Sequence, residues 1–198
     1  MIWAVVLAAG ESKRMGRPKQ LLPYGASTIL EIVLDKALAS PVDGTLVVLG
    51  AAAERIAPLL SKRPVETVLN PDFRSGMLSS VRCGIRALPG SARAALIFLG
   101  DQPEVSPATA RLVIEEYRRT ARGIVLPVHR RRGGHPLLID LKYRGEIGLL
   151  SAGIGLRELL SRHPDDTLRI EVDDPGVSLD IDTPEDYDAR IKADFGRK

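Results

Sequence analysis

A short basic loop near the N-terminus is the first stretch that could do chemistry. An apolar run at 2–7 is followed by Gly10, and a second glycine stands at Gly16. The cations of the loop are Lys13, Arg14, Arg17 and Lys19. A strand that opens into a glycine-rich basic turn presents N–H groups and cations to phosphates, which glycine lets the backbone approach closely. The spacing matches neither GxxxxGK(S/T) nor GxGxxG, so a charged surface loop is the alternative.

Two aspartates could supply the carboxylates of a metal–phosphate site. Asp101 follows the apolar run 94–99, and Asp182 follows a predicted strand at 177–181. Ligands of parallel sheets bind beyond the carboxyl ends of strands, so both are expected near the basic loop. Mg²⁺ takes few protein oxygens and keeps phosphates and waters, which suits two carboxylates. The alternatives are a turn aspartate at Asp101 and a solvent-facing charge at Asp180, which strand periodicity places on the same face as Asp182.

Composition limits the class of protein to a globular one of ordinary charge. The 198 residues are 44% hydrophobic and 27% charged, which fits one core and one domain, 1–198. The net charge of +3 is concentrated in local clusters and aromatics are only 4%, which favours a small polyanion over nucleic acid. A single cysteine suits a reducing compartment. No apolar run approaches the ~20 residues of a membrane span and no signal peptide is evident, so a cytoplasmic protein is expected.

Strand-like and helix-like segments alternate along the whole chain. The predicted strands are 2–7, 45–49, 65–69, 94–99, 124–127, 136–139, 167–172 and 177–181. The predicted helices are one capped by Ser27 or Thr28, then 51–61, 76–88, 107–119, 154–162 and one that begins at Pro184. Pro58 is expected to kink or end the second helix. This alternation predicts right-handed βαβ units and an α/β fold of three layers, with a mostly parallel sheet covered on both faces.

The basic loop also resembles a family signature. Residues 7–25 read LAAGESKRMGRPKQLLPYG, similar to the pattern LAAGxSxRMGxxKxLLP of nucleotidyltransferases related to the molybdenum cofactor cytidylyltransferases. Further segments resemble motifs of that family in the same order: NPDFRSGMLSS at 70–80, GDQP at 100–103, GGHP at 133–136 and DIDTPEDY at 180–187. The resemblance implies a Rossmann-like, nucleotide-diphospho-sugar transferase-like fold and transfer of a nucleotidyl group with release of pyrophosphate.

The resemblance assigns roles in the nucleotide half of the site. It implies that the nucleotide contacts Leu7, Ala8, Ala9, Gly10, Arg14, Lys19, Asn70, Ser79 and Ser80. Arg14, Lys19 and Asp101 would act in catalysis. Asp101 and Asp182 would hold Mg²⁺, with Mn²⁺ as the alternative ion. In this family LAAG accompanies cytidine and LAGG guanosine, so Ala9 favours CTP.

The acceptor half departs from the family pattern. The resemblance implies that Gln102 and His135 face the acceptor, molybdopterin, whose terminal phosphate would attack. The element RGHP reads RGGH at 132–135 here, which displaces the arginine by one position, and His135 could equally be a structural turn residue. Gly153 stands where an acidic residue is common. Another phosphorylated acceptor, such as a phosphosugar or a phosphorylated alcohol, therefore stays open.

The resemblance also suggests a partner protein. A molybdenum hydroxylase apo-enzyme would receive the product, and a noncatalytic maturation factor for such hydroxylases is the alternative from another class. The presence of Asp101, Asp182 and Lys19 favours the enzyme over that factor. A nucleic-acid partner and a membrane are not expected.

Overall fold

The computed structural model describes residues 1–195, which contain one large mixed sheet and a small two-stranded ribbon. The strands are β1 (Ile2–Ala8), β2 (Pro23–Tyr24), β3 (Ser27–Thr28), β4 (Gly44–Leu49), β5 (Glu66–Leu69), β6 (Ala94–Leu99), β7 (Ile124–His129), β8 (Arg132–Gly133), β9 (Leu137–Asp140) and β10 (Thr167–Glu171). The order in the large sheet is β10-β7-β9-β6-β1-β4-β5, with β8 paired to β7. Strands β2 and β3 form the ribbon, which the sequence had not indicated.

The central strands run parallel and end together. Leu7 of β1 lies opposite Val48 of β4 on one side and Leu99 of β6 on the other. In the large sheet, as described for residues 1–195, only β9 and the short β8 run antiparallel to their neighbours. The mostly parallel sheet is thereby confirmed. The residues that follow β1 and β6, including Gly10 and Asp101, leave the sheet at one edge.

Helices cover both faces of this sheet. They are α1 (Ile29–Leu38), α2 (Ala53–Leu60), α3 (Met77–Ala87), α4 (Pro107–Thr120), α5 (Arg144–Leu149), α6 (Leu156–Arg162) and α7 (Pro184–Phe195). Successive side chains of β1 point to opposite faces. Val5 packs in the core with Val81 of α3, while Val6 packs in a second core with Leu34 of α1. A continuous apolar strand such as β1 is therefore buried on both faces of the sheet, as the three-layer prediction requires.

Capping residues begin the helices where the sequence predicted. Thr28 and Glu31 form a reciprocal capping box at α1. Ser106 caps α4, whose first residue is a proline. Thr183 accepts from the N–H of Asp186, whose carboxylate accepts the N–H of Thr183, so α7 also begins with a capping box. Pro58 lies inside α2, two residues before its end.

The strand predicted at 177–181 is wrong. Residues 175–178 form a 3-10 turn, and no strand occurs between Glu171 and the end of the described chain. The backbone groups of this segment bond to loops instead of to a neighbouring strand. The N–H of Ile181 donates to the carbonyl oxygen of Asp101 (3.2 Å), and the carbonyl oxygen of Val177 accepts the N–H of His135 (2.9 Å). We call residues 177–182 the C-terminal strap.

Across residues 1–195, no helix has both the length and the apolar content of a membrane span.

Candidate active site

The basic loop folds back on itself so that its last cation returns to the strand ends. Ser12 and Gly16 have left-handed backbone conformations, with φ of 54° and 70°. The hydroxyl of Ser12 accepts the N–H of Lys19 (3.1 Å), which closes the loop. Met15 is buried against Ile181 and anchors the loop to the C-terminal strap. The loop is thus a fixed turn that carries Lys19 to the edge of the sheet.

Lys19 lies between the two predicted metal ligands. Its Nζ forms an ion pair with Oδ2 of Asp101 and donates to Oδ1 of Asp182 at 2.8 Å. Nη2 of Arg14 donates to the other oxygen of Asp182 at 2.6 Å. The side chains of Lys19, Asp101 and Asp182 are 11%, 17% and 28% exposed. The structure therefore brings these four side chains into one ionic cluster, in which Lys19, Asp101 and Asp182 are mostly shielded from water and Arg14 is exposed.

Burial and charge set the proton affinities in this ionic cluster. Burial raises the pKa of Asp101, and the Lys19 ammonium opposes that effect. Burial alone would lower the pKa of Lys19, yet Asp101 and Asp182 outweigh it and the pKa is raised. Burial would raise the pKa of Asp182, but Lys19 and Arg14 hold it below its usual value. Lys19 is consequently a permanent cation, and Asp101 is the weaker of the two acids.

A first cavity of about 380 Å³ opens above the ionic cluster. The predicted nucleotide residues that line it are Leu7, Ala9, Gly10, Arg14, Lys19 and Ser80, together with Asp101 and Asp182. The backbone N–H groups of Gly10, Glu11 and Ser12 donate to no other protein group within the described residues. Free N–H groups beside fixed cations form a binding place for an anion such as a phosphate.

Three predicted nucleotide residues do not line this cavity. Ala8 is buried inside β1. Nδ2 of Asn70 donates to Oγ of Ser79 (2.9 Å) and of Ser80 (3.0 Å), and its Oδ1 accepts the N–H of Asp72. The polar atoms of Asn70 thus bond to the start of α3, where they fix the Ser80 hydroxyl that does face the cavity.

The two predicted acceptor residues separate in the structure. Gln102 is 4% exposed, lines neither cavity and donates to the C-terminal strap. His135 lines a second cavity of about 860 Å³. Burial lowers the pKa of His135 to about 4, so its imidazole is neutral at pH 7.

The second cavity combines an apolar floor with arginines. Its apolar lining includes Leu78, Val81, Leu126, Leu137 and Leu160, and its charged lining is Arg132, Arg157 and Arg169. No aspartate or glutamate of the described chain lines this cavity. Met77 lines both cavities, which makes them neighbours. Gly153, noted above as a departure from the family pattern, lies on the wall of this cavity.

Sequence reasoning missed several of these lining residues. Arg157 lay within the 152–157 stretch that departs from the family pattern, so its position carried a signal. Met77 belongs to the NPDFRSGMLSS segment that resembles the family motif, so its position also carried a signal. Arg169 carried none, because an arginine in an edge strand is ordinary.

The geometry at this edge of the sheet is typical of one class of protein. An α/β sheet carries at the carboxyl ends of its strands a basic turn with free N–H groups and a lysine between two carboxylates. Such a site can bind a nucleoside triphosphate and stabilise charge that shifts along its phosphates.

Comparison with known sequences defines the family. Residues 4–167 match the MobA-like NTP transferase domain, and the chain belongs to this family of nucleotidyltransferases. It is 32% identical over 191 residues to nicotine blue oxidoreductase of Paenarthrobacter nicotinovorans, with 93% of each chain covered. It is 27% identical over 184 residues to the molybdenum cofactor cytidylyltransferase of Escherichia coli, with 92% of each covered.

Solved structures agree with this family. The Rv0371c protein of Mycobacterium tuberculosis superposes with a TM-score of 0.85 at 35% identity, over 95% of both chains. A second crystal structure of that protein, in complex with manganese, gives a TM-score of 0.82 at 32% identity, over 97% of this chain and 98% of the other. The predicted fold class is confirmed.

Proposed function

We propose that this nucleotidyltransferase transfers CMP from CTP to the terminal phosphate of molybdopterin and releases pyrophosphate. The observation that carries the proposal is the Lys19 ammonium, which lies between Asp101 and Asp182 at the wall of the first cavity. The similarity to the E. coli molybdenum cofactor cytidylyltransferase, over nearly the whole of both chains, supports the choice of substrates.

CTP would occupy the first cavity, with its phosphates on the basic loop. The free N–H groups of Gly10, Glu11 and Ser12 suit phosphate oxygens. Ala9 lines the cavity, and its methyl group occupies room that a glycine would leave for a larger purine. This supports CTP over GTP.

Asp101 and Asp182 would hold Mg²⁺, or Mn²⁺ in its place. Both present oxygens, the ligands that hard divalent cations prefer. The lysine between them indicates that the pair is built to neutralise a cation. Across residues 1–195 no group of three or more His, Cys, Asp or Glu side chains could hold a metal by itself, so phosphates and waters would complete the shell. The bound ion would neutralise charge on the triphosphate.

Arg14 and Lys19 would stabilise the transition state. Nucleotidyl transfer moves negative charge onto the α-phosphate oxygens and the departing pyrophosphate, and fixed cations at those oxygens lower the barrier. The attacking phosphate is already ionised at neutral pH, so no general base is required. His135, neutral at pH 7, would contact the acceptor through hydrogen bonds and not as a cation.

The second cavity would hold the acceptor. Three arginines above an apolar floor suit an anion that carries a ring, such as molybdopterin, better than a small polyhydroxyl phosphate. Met77 joins this cavity to the first, which would let an acceptor phosphate approach the α-phosphate of CTP. A molybdenum hydroxylase apo-enzyme would receive the product. Gln102 lines neither cavity, so the predicted contact of this residue with the acceptor remains a proposal without geometric support.

The test is pyrophosphate release with Mg²⁺ and molybdenum cofactor, comparing CTP, GTP and ATP. Asp101→Ala is the inactive variant and Asp173→Ala, at an exposed carboxylate outside both cavities, is its control. Release with CTP that is lost only in Asp101→Ala supports the proposal. Release with GTP alone contradicts the role given to Ala9. Pyrophosphate release only with a phosphosugar or a phosphorylated alcohol would mean that this compound, and not molybdopterin, is the acceptor. If the folded protein releases no pyrophosphate with any substrate, the noncatalytic maturation factor is favoured.

A second candidate function comes from the Paenarthrobacter relative, which is named an oxidoreductase and matches 93% of this chain. The same protein should therefore be assayed for redox turnover of nicotine blue. Turnover in that assay without pyrophosphate release would replace nucleotidyl transfer with redox chemistry.

A further inference from the structure

We infer that Gln102 is a positioning residue that fastens the C-terminal strap to the Asp101 loop and so sets where Asp182 meets Lys19. The inference rests on the proposed function only for its effect on catalysis, because the contact itself can be tested without substrates.

The amide of Gln102 holds the C-terminal strap at two points. Its Nε2 donates to Oδ1 of Asp180 at 2.8 Å and to the carbonyl oxygen of Val177 at 3.3 Å. The N–H of Ile181 donates to the carbonyl oxygen of Asp101, one residue before Gln102. Asp182 follows these three bonds directly along the chain. Its carboxylate position therefore depends on a segment that no strand supports.

The same contacts connect the two cavities. The carbonyl oxygen of Val177 accepts both from Gln102 and from the backbone N–H of His135, which lines the second cavity. A side chain at Gly134 would place its Cβ 2.0 Å from that oxygen, so the close approach requires glycine. The strap thus touches the acceptor side at its start and the ionic cluster at its end.

The side-chain oxygen of Gln102, Oε1, helps to distinguish a positioning role for this residue from a purely stabilising one. Within the described residues its Oε1 is buried and has no hydrogen-bond partner. A buried acceptor without a partner costs free energy, which offsets much of what the two donated hydrogen bonds contribute to stability. A methionine of similar shape would lose both the two bonds and this cost, so its effect on stability should be small.

The first measurement compares Gln102→Met with the unchanged protein. We expect amide hydrogen exchange at Ile181 to be at least about tenfold faster, while the melting temperature changes little. A lysine and a carboxylate misplaced by about 1 Å cost roughly 10- to 100-fold in rate, so kcat for pyrophosphate release should fall by about that factor. The KM for CTP should change much less. Asp180→Ala should reproduce these changes, and Asp173→Ala should show none.

The second measurement exchanges donor and acceptor. Gln102→Glu places a carboxylate against Asp180 and should lower the rate relative to the unchanged protein. Combining Gln102→Glu with Asp180→Asn reverses the hydrogen bond at residue 180 but leaves the carbonyl oxygen of Val177 without this donor, so it should recover part of the rate.

Unchanged exchange at Ile181 in Gln102→Met overturns the inference, as does a rate loss that only follows a fall in melting temperature. Failure of the swap to recover any rate has the same meaning. If the chain does not transfer nucleotides at all, the exchange result still decides the contact, so the two failures are distinguishable.

Discussion

The two cavities of this enzyme hold their charges in opposite ways. In the first cavity every charged side chain has an opposite charge beside it: Glu11 with Lys13, Arg14 with Asp182, and Lys19 with Asp101 and Asp182. In the second cavity the three arginines form no ion pair within residues 1–195, and no carboxylate lines the wall.

This difference suits the first cavity to catalysis and the second cavity to binding of an anionic ligand. Paired charges in a shielded site are held in fixed positions before a substrate arrives, which is what stabilisation of a transition state requires. Unpaired arginines keep their hydrogen-bond donors free for an anionic ligand, at the cost of mutual repulsion. Changes in the first cavity should therefore affect kcat, and changes in the second should affect the KM of the acceptor.

The largest effect is expected for Lys19→Met. Loss of a fixed cation at the reacting phosphates should lower kcat by about 10²- to 10³-fold. The variant also leaves Asp101 buried without its cation, which should destabilise the fold by roughly 3 kcal/mol at neutral pH. Pyrophosphate release and denaturant titration measure the two effects. Lys62→Met, at an exposed lysine outside both cavities, is the control.

The pH dependence of this variant checks the cause of its instability. Burial raises the pKa of Asp101 above its unfolded value, and removal of Lys19 should raise it further. An acid whose pKa is higher in the folded state binds its proton more tightly there, so the stability deficit should shrink as the pH falls through the folded pKa. A deficit that grows on acidification would contradict the role given to the Lys19–Asp101 pair.

A smaller effect, confined to the acceptor, is expected for Arg157→Gln and Arg169→Gln. A hydrogen bond to a charged group contributes about 1.5–3 kcal/mol, so each change should raise the acceptor KM by roughly tenfold or more. The KM for CTP should stay the same, because neither arginine lines the first cavity. Arg111→Gln, on an exposed face of α4, is the matched control. Equal losses for CTP and acceptor would show that the two cavities are not functionally separate.

The sequence predicted the elements whose stabilising contacts are local. The continuous apolar run of β1 and the caps at Thr28 and Ser106 can be recognised from neighbours a few residues away, and each lies where predicted. Helix α5 was missed because Gly145 and Gly148 lower its helix propensity. The C-terminal strap was predicted as a strand because Val177 and Ile181 are typical strand residues. Its backbone hydrogen-bond partners lie in loops that are distant in sequence, and the hydrophobic periodicity of the strap does not reveal them.

The same distinction applies to the site. The cations of the N-terminal loop, Asp101 and Asp182 could be selected from the sequence as phosphate and metal residues. The ion pairs that join Lys19 to both carboxylates depend on how far the loop folds back, which only the tertiary structure determines. The arginines of the second cavity come from three separate elements, so their convergence had no signature in the sequence.

The last prediction concerns His135 and the dependence of stability on pH. Burial lowers its pKa to about 4 from an ordinary 6.5, so the folded protein resists a proton that the unfolded chain accepts. A depressed histidine pKa stabilises the fold fully above about pH 6.5 and loses that contribution as the pH falls toward 4. The slope due to one proton is at most about 1.4 kcal/mol per pH unit.

His135→Gln should remove this component from a plot of unfolding free energy against pH, whereas His129→Gln, outside both cavities, should leave it in place. An unchanged slope in His135→Gln would mean that the imidazole is hydrated in the folded protein, and the second cavity would then be wetter than its apolar floor indicates.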